Sequence, residues 1–303
     1  MTARPDRPAW EDLPDNVINV VEREVGTVIK AETVGGGIMP GLAARLDVQD
    51  SPPVFLKATE RDDPGAELHL RERGATRSLP GDTPAPRLIW FGTVAQWHVM
   101  AMEWIDHARH ADLSPGSPDL MPVMDILATL GTVLTPCPSG AMPIGENVNP
   151  LLAKGRHLLA KPEGELRDRD RFEDALDRLA QHELRGNTLV HYDLSSSNLL
   201  VTEEGGVKVV DWSFAVRGAA WLDAALLAPR LIQAGHSPEA TDLLLSTLPS
   251  WHSAPRTALV GLAAGWTLFR LYKARYGPAG LREARAAAAD AGRAWMNYQL
   301  AKG

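Results

Sequence analysis

The chain has little of what secreted, membrane-embedded and nucleic-acid-binding proteins need. Its single cysteine, Cys137, cannot form an internal disulfide, and its first ten residues lack the apolar run of a secretion signal, so a cytoplasmic location is expected. The longest uncharged apolar stretch, Leu259 to Phe269, is well short of the roughly 20 residues that a membrane helix requires. A net charge of −7 provides no polybasic surface. We therefore expect neither a membrane nor a nucleic acid as a partner. The chain is expected to be a monomer or a homodimer.

The hydrophobic pattern of the chain changes about one third of the way along its 303 residues. Before that point, alternating apolar residues between turn signals predict a small sheet, with one helix inserted at residues 64–79. After Asp106, helical periodicity dominates and is interrupted only by short strands. The sequence predicts an α+β fold with a sheet-forming part at 1–102, a connection at 103–106 and a helical part at 107–303.

Three polar residues lie between apolar, strand-like segments in "VHYDLSSSNLLV", namely His191, Asp193 and Asn198. A second apolar segment ends at Asp211 in "VVDWSF", and a tight "EEGG" turn between the two strands brings Asn198 and Asp211 together. An amide oxygen and a carboxylate are hard oxygen ligands of the kind that Mg²⁺ uses alongside water and phosphates. As single residues they could equally cap turns and strand ends, but their joint spacing favours a metal site with Asp193 in front of it.

These motifs resemble those of the aminoglycoside phosphotransferase family, which comprises kinases of antibiotics and small metabolites, and the resemblance covers most of the chain. It implies a bilobal, protein-kinase-like fold with an antiparallel N-lobe sheet and a mainly helical C-lobe. It also implies that Asp193 is the catalytic base, that Asn198 and Asp211 hold Mg²⁺, and that His191 supports the catalytic loop. The Ser213 side chain is a departure, because many relatives carry a second acid there, so one metal ion is expected and a second is left open.

The resemblance further predicts the nucleotide site. Lys57, in the third strand, should bind the phosphates and pair with an acid of the inserted helix; Glu72 is preferred and Glu67 is the alternative. The glycine loop, with Gly35, Gly36 and Gly37, would approach the phosphates through backbone amides, although Pro40 removes one donor. Residues of the interlobe connection would hold the adenine: Met102 through its side chain, and Glu103 and Ile105 through their backbones. ATP is the expected nucleotide and GTP the alternative.

The length of one segment bears on the acceptor. Only 11 residues separate Asp211 from Asp223, which is too short for the activation segment on which a protein substrate docks. A small molecule with a hydroxyl group is therefore expected, either an antibiotic or a natural-product intermediate. Residues 251–303 carry 8 basic and 2 acidic side chains, which disfavours a polycationic aminoglycoside. A kinase of peptide Ser/Thr hydroxyls and a catalytically silent pseudokinase remain as alternatives.

Overall fold

The computed structural model describes residues 7–35, 41–138, 140–161 and 166–302. Its N-terminal part is a five-stranded antiparallel sheet in the order β1-β2-β3-β5-β4. The strands are β1 (Val28–Thr33), β2 (Leu42–Val48), β3 (Val54–Glu60), β4 (Leu88–Val94) and β5 (Trp97–Glu103). Helix α1 (Asp15–Val25) precedes the sheet, and helix α2 (Ala66–Ser78) is inserted between β3 and β4. This is the sheet with one inserted helix that the sequence predicts.

The C-terminal part is mainly helical. Its helices are α3 (Leu120–Val133), α4 (Gly145–Leu159), α5 (Arg169–Asp177), α6 (Leu222–Gln233), α7 (Pro238–Leu245), α8 (Arg256–Tyr276) and α9 (Arg282–Ala301). Short strands form two small sheets, one from β6 (Arg109–His110), β8 (Leu199–Val201) and β9 (Val207–Val209), the other from β7 (Thr188–Val190) and β10 (Val216–Gly218). These small sheets hold the polar motifs between the helices and the N-terminal sheet.

Two separate hydrophobic cores explain the two lobes. One core lies between α1 and the large sheet and includes Val17, Val21, Leu46 and Leu56. The other fills the helical part and is organised around α8, whose residues from Ala258 to Leu268 are all buried. The long apolar stretch of the sequence is thus the centre of a core helix. No helix in the described ranges is both long and apolar enough to cross a bilayer.

The helix α4 was not predicted from the sequence. Pro150 lies inside it and removes one backbone donor, which is the usual signal of a helix end. Burial of Leu151, Leu152 and Leu158 against the helical core offsets that loss. The α+β, bilobal architecture is as predicted, whereas the proposed boundary at 103–106 stays a prediction; in the structure, β5 ends at Glu103.

Candidate active site

The Lys57 ammonium lies on β3, where the side chains alternate between the two faces of the sheet. Lys57 Nζ donates to Glu72 Oε1 at 2.7 Å and to Oε2 at 2.8 Å. Glu67, on the same helix α2, is exposed instead. Burial lowers the pKa of Lys57, but the Glu72 and Asp211 carboxylates outweigh it, so that the pKa lies above its ordinary value. Lys57 is therefore a stable cation that faces both carboxylates.

The Asp211 carboxylate is held at the end of β9 by an unusual backbone conformation. Its φ of 62° places it in the left-handed region, which a non-glycine residue adopts only where the surroundings impose it. Ser213 Oγ donates to Asp211 Oδ1 at 2.6 Å. Burial acts to raise the pKa of Asp211, but Lys57 and the Ser213 hydrogen bond bring it below the ordinary carboxyl value. Asp211 is consequently a charged, oriented ligand candidate.

The Asn198 amide lies beside Asp211 because β8 and β9 pair in register. Leu199 is opposite Val209, and the Val210 N–H donates to the Asn198 carbonyl at 3.0 Å. Asn198 Nδ2 donates to the Asp193 carbonyl at 2.8 Å, so the amide group is fixed in orientation. The pair supplies an amide oxygen and a carboxylate, the donors that Mg²⁺ accepts, and this donor set fits the ion. No cluster of three or more His, Cys, Asp or Glu side chains suited to a metal exists among the described residues, so the remaining ligands would be water and phosphate oxygens.

The His191 ring is buried and fully engaged in hydrogen bonds. Its Nε2 donates to the Val210 carbonyl at 3.0 Å, and its Nδ1 accepts the Asp193 N–H at 3.3 Å. The backbone N–H groups of His191 and Tyr192 donate to the Asp223 carboxylate at 3.0 Å and 2.8 Å. Asp223 is buried, and burial raises its pKa. The loop is thus fixed from two sides, with His191 in a supporting position.

A largely shielded arginine, Arg230 of α6, holds the carboxylate of Asp193. Its Nη2 donates to Asp193 Oδ1, and its Nη1 donates to the Asp193 carbonyl at 3.2 Å and to the Leu194 carbonyl. The Asp193 side chain is 38% exposed, whereas that of Arg230 is 11% exposed. Sequence reasoning missed Arg230; its signal is the single cation of the mostly apolar helix "LDAALLAPRLIQ", which needs an anionic partner where it is shielded from water.

Asn147 of α4 joins the inserted helix to the segment that follows Asp211 and was also missed. Its Oδ1 accepts from Arg71 Nη2 at 2.8 Å, and its Nδ2 donates to the Phe214 carbonyl at 2.7 Å. Arg71 directly precedes Glu72 on α2, and its guanidinium lies 5.9 Å from the Phe214 ring centroid. One side-chain amide therefore positions α2 relative to Asp211.

The predicted adenine-binding residues lie at the end of β5 and just beyond it. Met102 is buried, and the Glu103 N–H donates to the Arg87 carbonyl at 2.9 Å. Ile105 follows the strand in an irregular segment. Gly35 is exposed at the end of β1, whereas Gly36 and Gly37 lie outside the described residues. The structure thus brings together Lys57, Glu72 and Asp211, and joins His191, Asp193 and Asn198 in one hydrogen-bonded loop next to Asp211.

Comparison with solved structures finds the same fold in several proteins. Choline kinase LicA from Streptococcus pneumoniae superposes with a TM-score of 0.61 at 16% identity, covering 91% of this chain and 98% of that one. An aminoglycoside phosphotransferase from Alicyclobacillus acidocaldarius gives 0.63 at 15% identity, covering 99% and 98%. The amicoumacin kinase hAmiN, solved with AMP-PNP, Ca²⁺ and Ami, gives 0.63 at 12% identity, covering 94% of each chain. At these identities the likeness establishes the fold alone.

The sequence itself decides the family. No curated protein matched it. The family described as "Phosphotransferase enzyme family" matches residues 48–254, which is more than half of the chain and includes every motif from Lys57 to Asp223. The predicted resemblance, fold class and enzyme class are confirmed: the protein belongs to the phosphotransferase enzyme family.

Proposed function

We propose that the protein is an ATP- and Mg²⁺-dependent kinase that transfers the γ-phosphoryl group to a hydroxyl of a small molecule. The observation that carries this proposal is that the Lys57–Glu72 ion pair lies close to Asp211. Lys57 and Asp211 are near enough for each group to shift the pKa of the other. A cation close to a carboxylate suits a nucleotide phosphate and its metal ion. The amicoumacin kinase, which shares the fold, was solved with AMP-PNP and Ca²⁺.

The chain's residues divide the work of phosphoryl transfer among them. Lys57 would bind phosphate oxygens, while Asn198 and Asp211 would hold the Mg²⁺ ion. A bound Mg²⁺ ion supplies neutralisation of the charge on the phosphates. Because the transition state is loose, the acceptor proton leaves late, and positioning contributes more than base strength.

Asp193 is placed to orient the acceptor hydroxyl. Its Oδ1 is taken by Arg230, and its Oδ2 has no hydrogen-bond partner among the described residues. The partly exposed carboxylate therefore offers one oxygen to a substrate hydroxyl. Its loop is anchored by Asn198, His191 and Asp223.

The acceptor is a small molecule in this proposal. After Asp211, the chain runs through one turn of 3₁₀-helix and strand β10 directly into α6, so it forms no long platform for a folded protein. The structural relatives reported above are named for choline, aminoglycoside and amicoumacin. A cytoplasmic location and a role in antibiotic resistance or natural-product tailoring remain parts of the proposal.

A phosphoryl-transfer screen tests this function. Purified protein, ATP and Mg²⁺ are incubated with hydroxylated antibiotics, metabolites and Ser/Thr peptides, and products are sought by a mass increase of about 80 Da, the mass of one added phosphoryl group. Asp193→Ala and the near-isosteric Asp193→Asn serve as controls, and nucleotide binding is measured for each. We expect phosphorylated product with the wild-type protein and none with either Asp193 variant. A variant that binds nucleotide and turns over normally would refute the role of Asp193, whereas peptide products alone would favour the peptide kinase.

A further inference from the structure

Four cations form a cluster on the helical side of the site, beyond the residues assigned above. They are Lys154 of α4, Arg270 and Lys273 of α8, and Arg285 of α9, and all four are half-buried. Three of them surround one phenyl ring. Lys154 Nζ lies 5.4 Å, Arg270 Cζ 5.9 Å and Lys273 Nζ 5.7 Å from the Phe269 ring centroid. Arg285 joins through Nη1, which donates to the Lys273 carbonyl at 3.1 Å. We call these four residues the Phe269 cation cluster.

No acidic side chain among the described residues pairs with this cluster. Helix α8 contains no acidic residue at all. Within the ranges that the structure describes, none of the four cations forms an ion pair, and Arg270 Nε is buried without a hydrogen-bond partner. Contact with aromatic rings, including that of Trp266 at 4.7 Å from Arg270 Cζ, offsets only part of the mutual repulsion. Half-buried like charges without an anion are unfavourable, so the arrangement is suited to binding one.

The cluster is linked to the loop of Asp193 through an apolar contact. Tyr192, the neighbour of Asp193, packs against a small apolar group that includes Trp266, and the Arg270 guanidinium lies over the Trp266 indole. Burial and, after it, the nearby Arg230 lower the pKa of Arg270 to about 10, whereas Asp193 acts in the opposite direction. Burial, followed by Lys154, Arg285 and Arg270, lowers the pKa of Lys273. The electrostatic influence of Asp193 thus reaches the cluster.

We propose that the acceptor alcohol carries an oxyanion, a carboxylate or a phosphate ester, which the Phe269 cation cluster binds while the hydroxyl faces Asp193. This inference rests on the proposed kinase function and specifies its substrate class. In the reaction, the hydroxyl oxygen forms a bond to the γ-phosphorus of ATP, the bond from that phosphorus to the β–γ bridging oxygen breaks, and ADP leaves with the electron pair. The hydroxyl proton passes to Asp193. Amine-rich acceptors such as aminoglycosides would be repelled by the same charges.

Acceptors matched in size and differing in charge test the proposal. We would compare two series, gluconate, glucose and glucosamine, and glycerol 3-phosphate, glycerol and 3-aminopropane-1,2-diol, by ADP release and by product mass. Turnover is expected with the anionic set, and the carboxylate and phosphate arms identify which oxyanion is used. Preferential phosphorylation of the amines would overturn the inference and leave the proposed function standing. No product from any set would count against the proposed function itself.

Variants link the preference to the cluster. Lys273→Gln is expected to raise the KM of an anionic acceptor about tenfold or more, with the KM for ATP unchanged, because one charge-assisted contact is lost. Lys208→Gln, which removes the same charge from strand β9 outside the cluster, is the matched control and should leave both values unchanged. An unchanged acceptor KM in Lys273→Gln and in the double variant with Lys154→Gln would contradict the proposal.

A binding measurement decides the inference without turnover. With the nucleotide site saturated by AMP-PNP and Mg²⁺, inorganic phosphate is titrated and the melting temperature is followed. Phosphate should stabilise the wild-type protein and the Lys208→Gln variant but not the Lys154→Gln/Lys273→Gln double variant. Equal stabilisation of all three proteins would show that the cluster does not bind oxyanions.

Discussion

Removing the Arg230 guanidinium should disable Asp193 without emptying the nucleotide site. Arg230 forms three hydrogen bonds to the catalytic loop, one to the Asp193 carboxylate and two to backbone carbonyls. In Arg230→Met the carboxylate loses its fixed orientation, and the buried carbonyls lose their donor. A small misplacement of a catalytic group costs about 10²-fold in rate. We therefore expect kcat to fall by that order.

The magnitude for stability follows from exposure. A hydrogen bond to a charged group contributes about 1.5–3 kcal/mol. All three bonds of Arg230 are of this kind, but they share one guanidinium and their contributions do not add. Because the Asp193 side chain is 38% exposed, water replaces part of the lost interaction, which discounts the ionic contribution. The free energy of unfolding of Arg230→Met should therefore fall by about 2–3 kcal/mol. Denaturant unfolding measures this value.

The assay separates orientation from unfolding. The kcat for an identified acceptor, or the slow hydrolysis of ATP before one is known, is measured together with AMP-PNP affinity, which should change little. Arg230→Lys keeps the charge but not the planar fork that reaches several acceptors, so its kcat should lie between those of the wild-type protein and Arg230→Met. In the Asp193→Asn background, Arg230→Met should reduce activity no further. A folded Arg230→Met protein with kcat within threefold of wild type would refute the reasoning.

Further predictions concern the metal, pH and backbone. Ser213→Ala removes the hydroxyl that orients Asp211, so the Mg²⁺ concentration for half-maximal activity should rise about tenfold or more; an unchanged Mg²⁺ titration would contradict this. Burial, and then Lys57, lowers the pKa of His69 to about 3. Below its unfolded pKa of 6.5 only the unfolded chain takes up the proton, so stability falls as pH falls. When the pH is lowered from 7.5 to 5, the free energy of unfolding should fall by roughly 2 kcal/mol less in His69→Leu than in the wild-type protein. An equal fall in both proteins would argue against a neutral buried imidazole. Gly41→Ala should destabilise by more than about 1 kcal/mol, because φ is +102° and the new Cβ would lie 2.6 Å from the Ala58 carbonyl. Gly74→Ala, whose new Cβ on α2 would lie in open space, should instead stabilise the protein by about 0.5–1 kcal/mol. Thermal unfolding of both glycine variants measures these changes.

The parts of the molecule that sequence predicts well are local in the chain. Strand β3 begins with alternating buried and half-buried residues, β5 contains a short run of buried apolar residues, and His191, Asp193 and Asn198 lie within one short motif. Arg230 and Asn147 act on residues 37 and 67 positions away, and no periodicity marks such a partner. Helix α4 was missed for a related reason: Pro150 is an end signal by itself, and only the surrounding core shows that the helix continues.

Charge is an intermediate case. The basic excess of residues 251–303 is visible in the composition, but its meaning depends on which cations share a surface. The fold brings Lys154 from α4 to Phe269 of α8, and no count along the chain could show this. It likewise places Arg293 against Asp168, so that not every cation of the segment belongs to the cluster.

The Asn147 carboxamide has a consequence for control of the enzyme. To part Glu72 from Lys57, helix α2 would have to move, and that motion would also break the hydrogen bond from Arg71 to the Asn147 amide, while the bond from Asn147 to the Phe214 carbonyl lies wholly within the helical part. The contact between Arg71 and Asn147 therefore opposes a displacement of α2 and helps to keep Glu72 beside Lys57. Such a restraint favours an enzyme whose output follows the concentrations of its two substrates over one that is switched by displacing a helix.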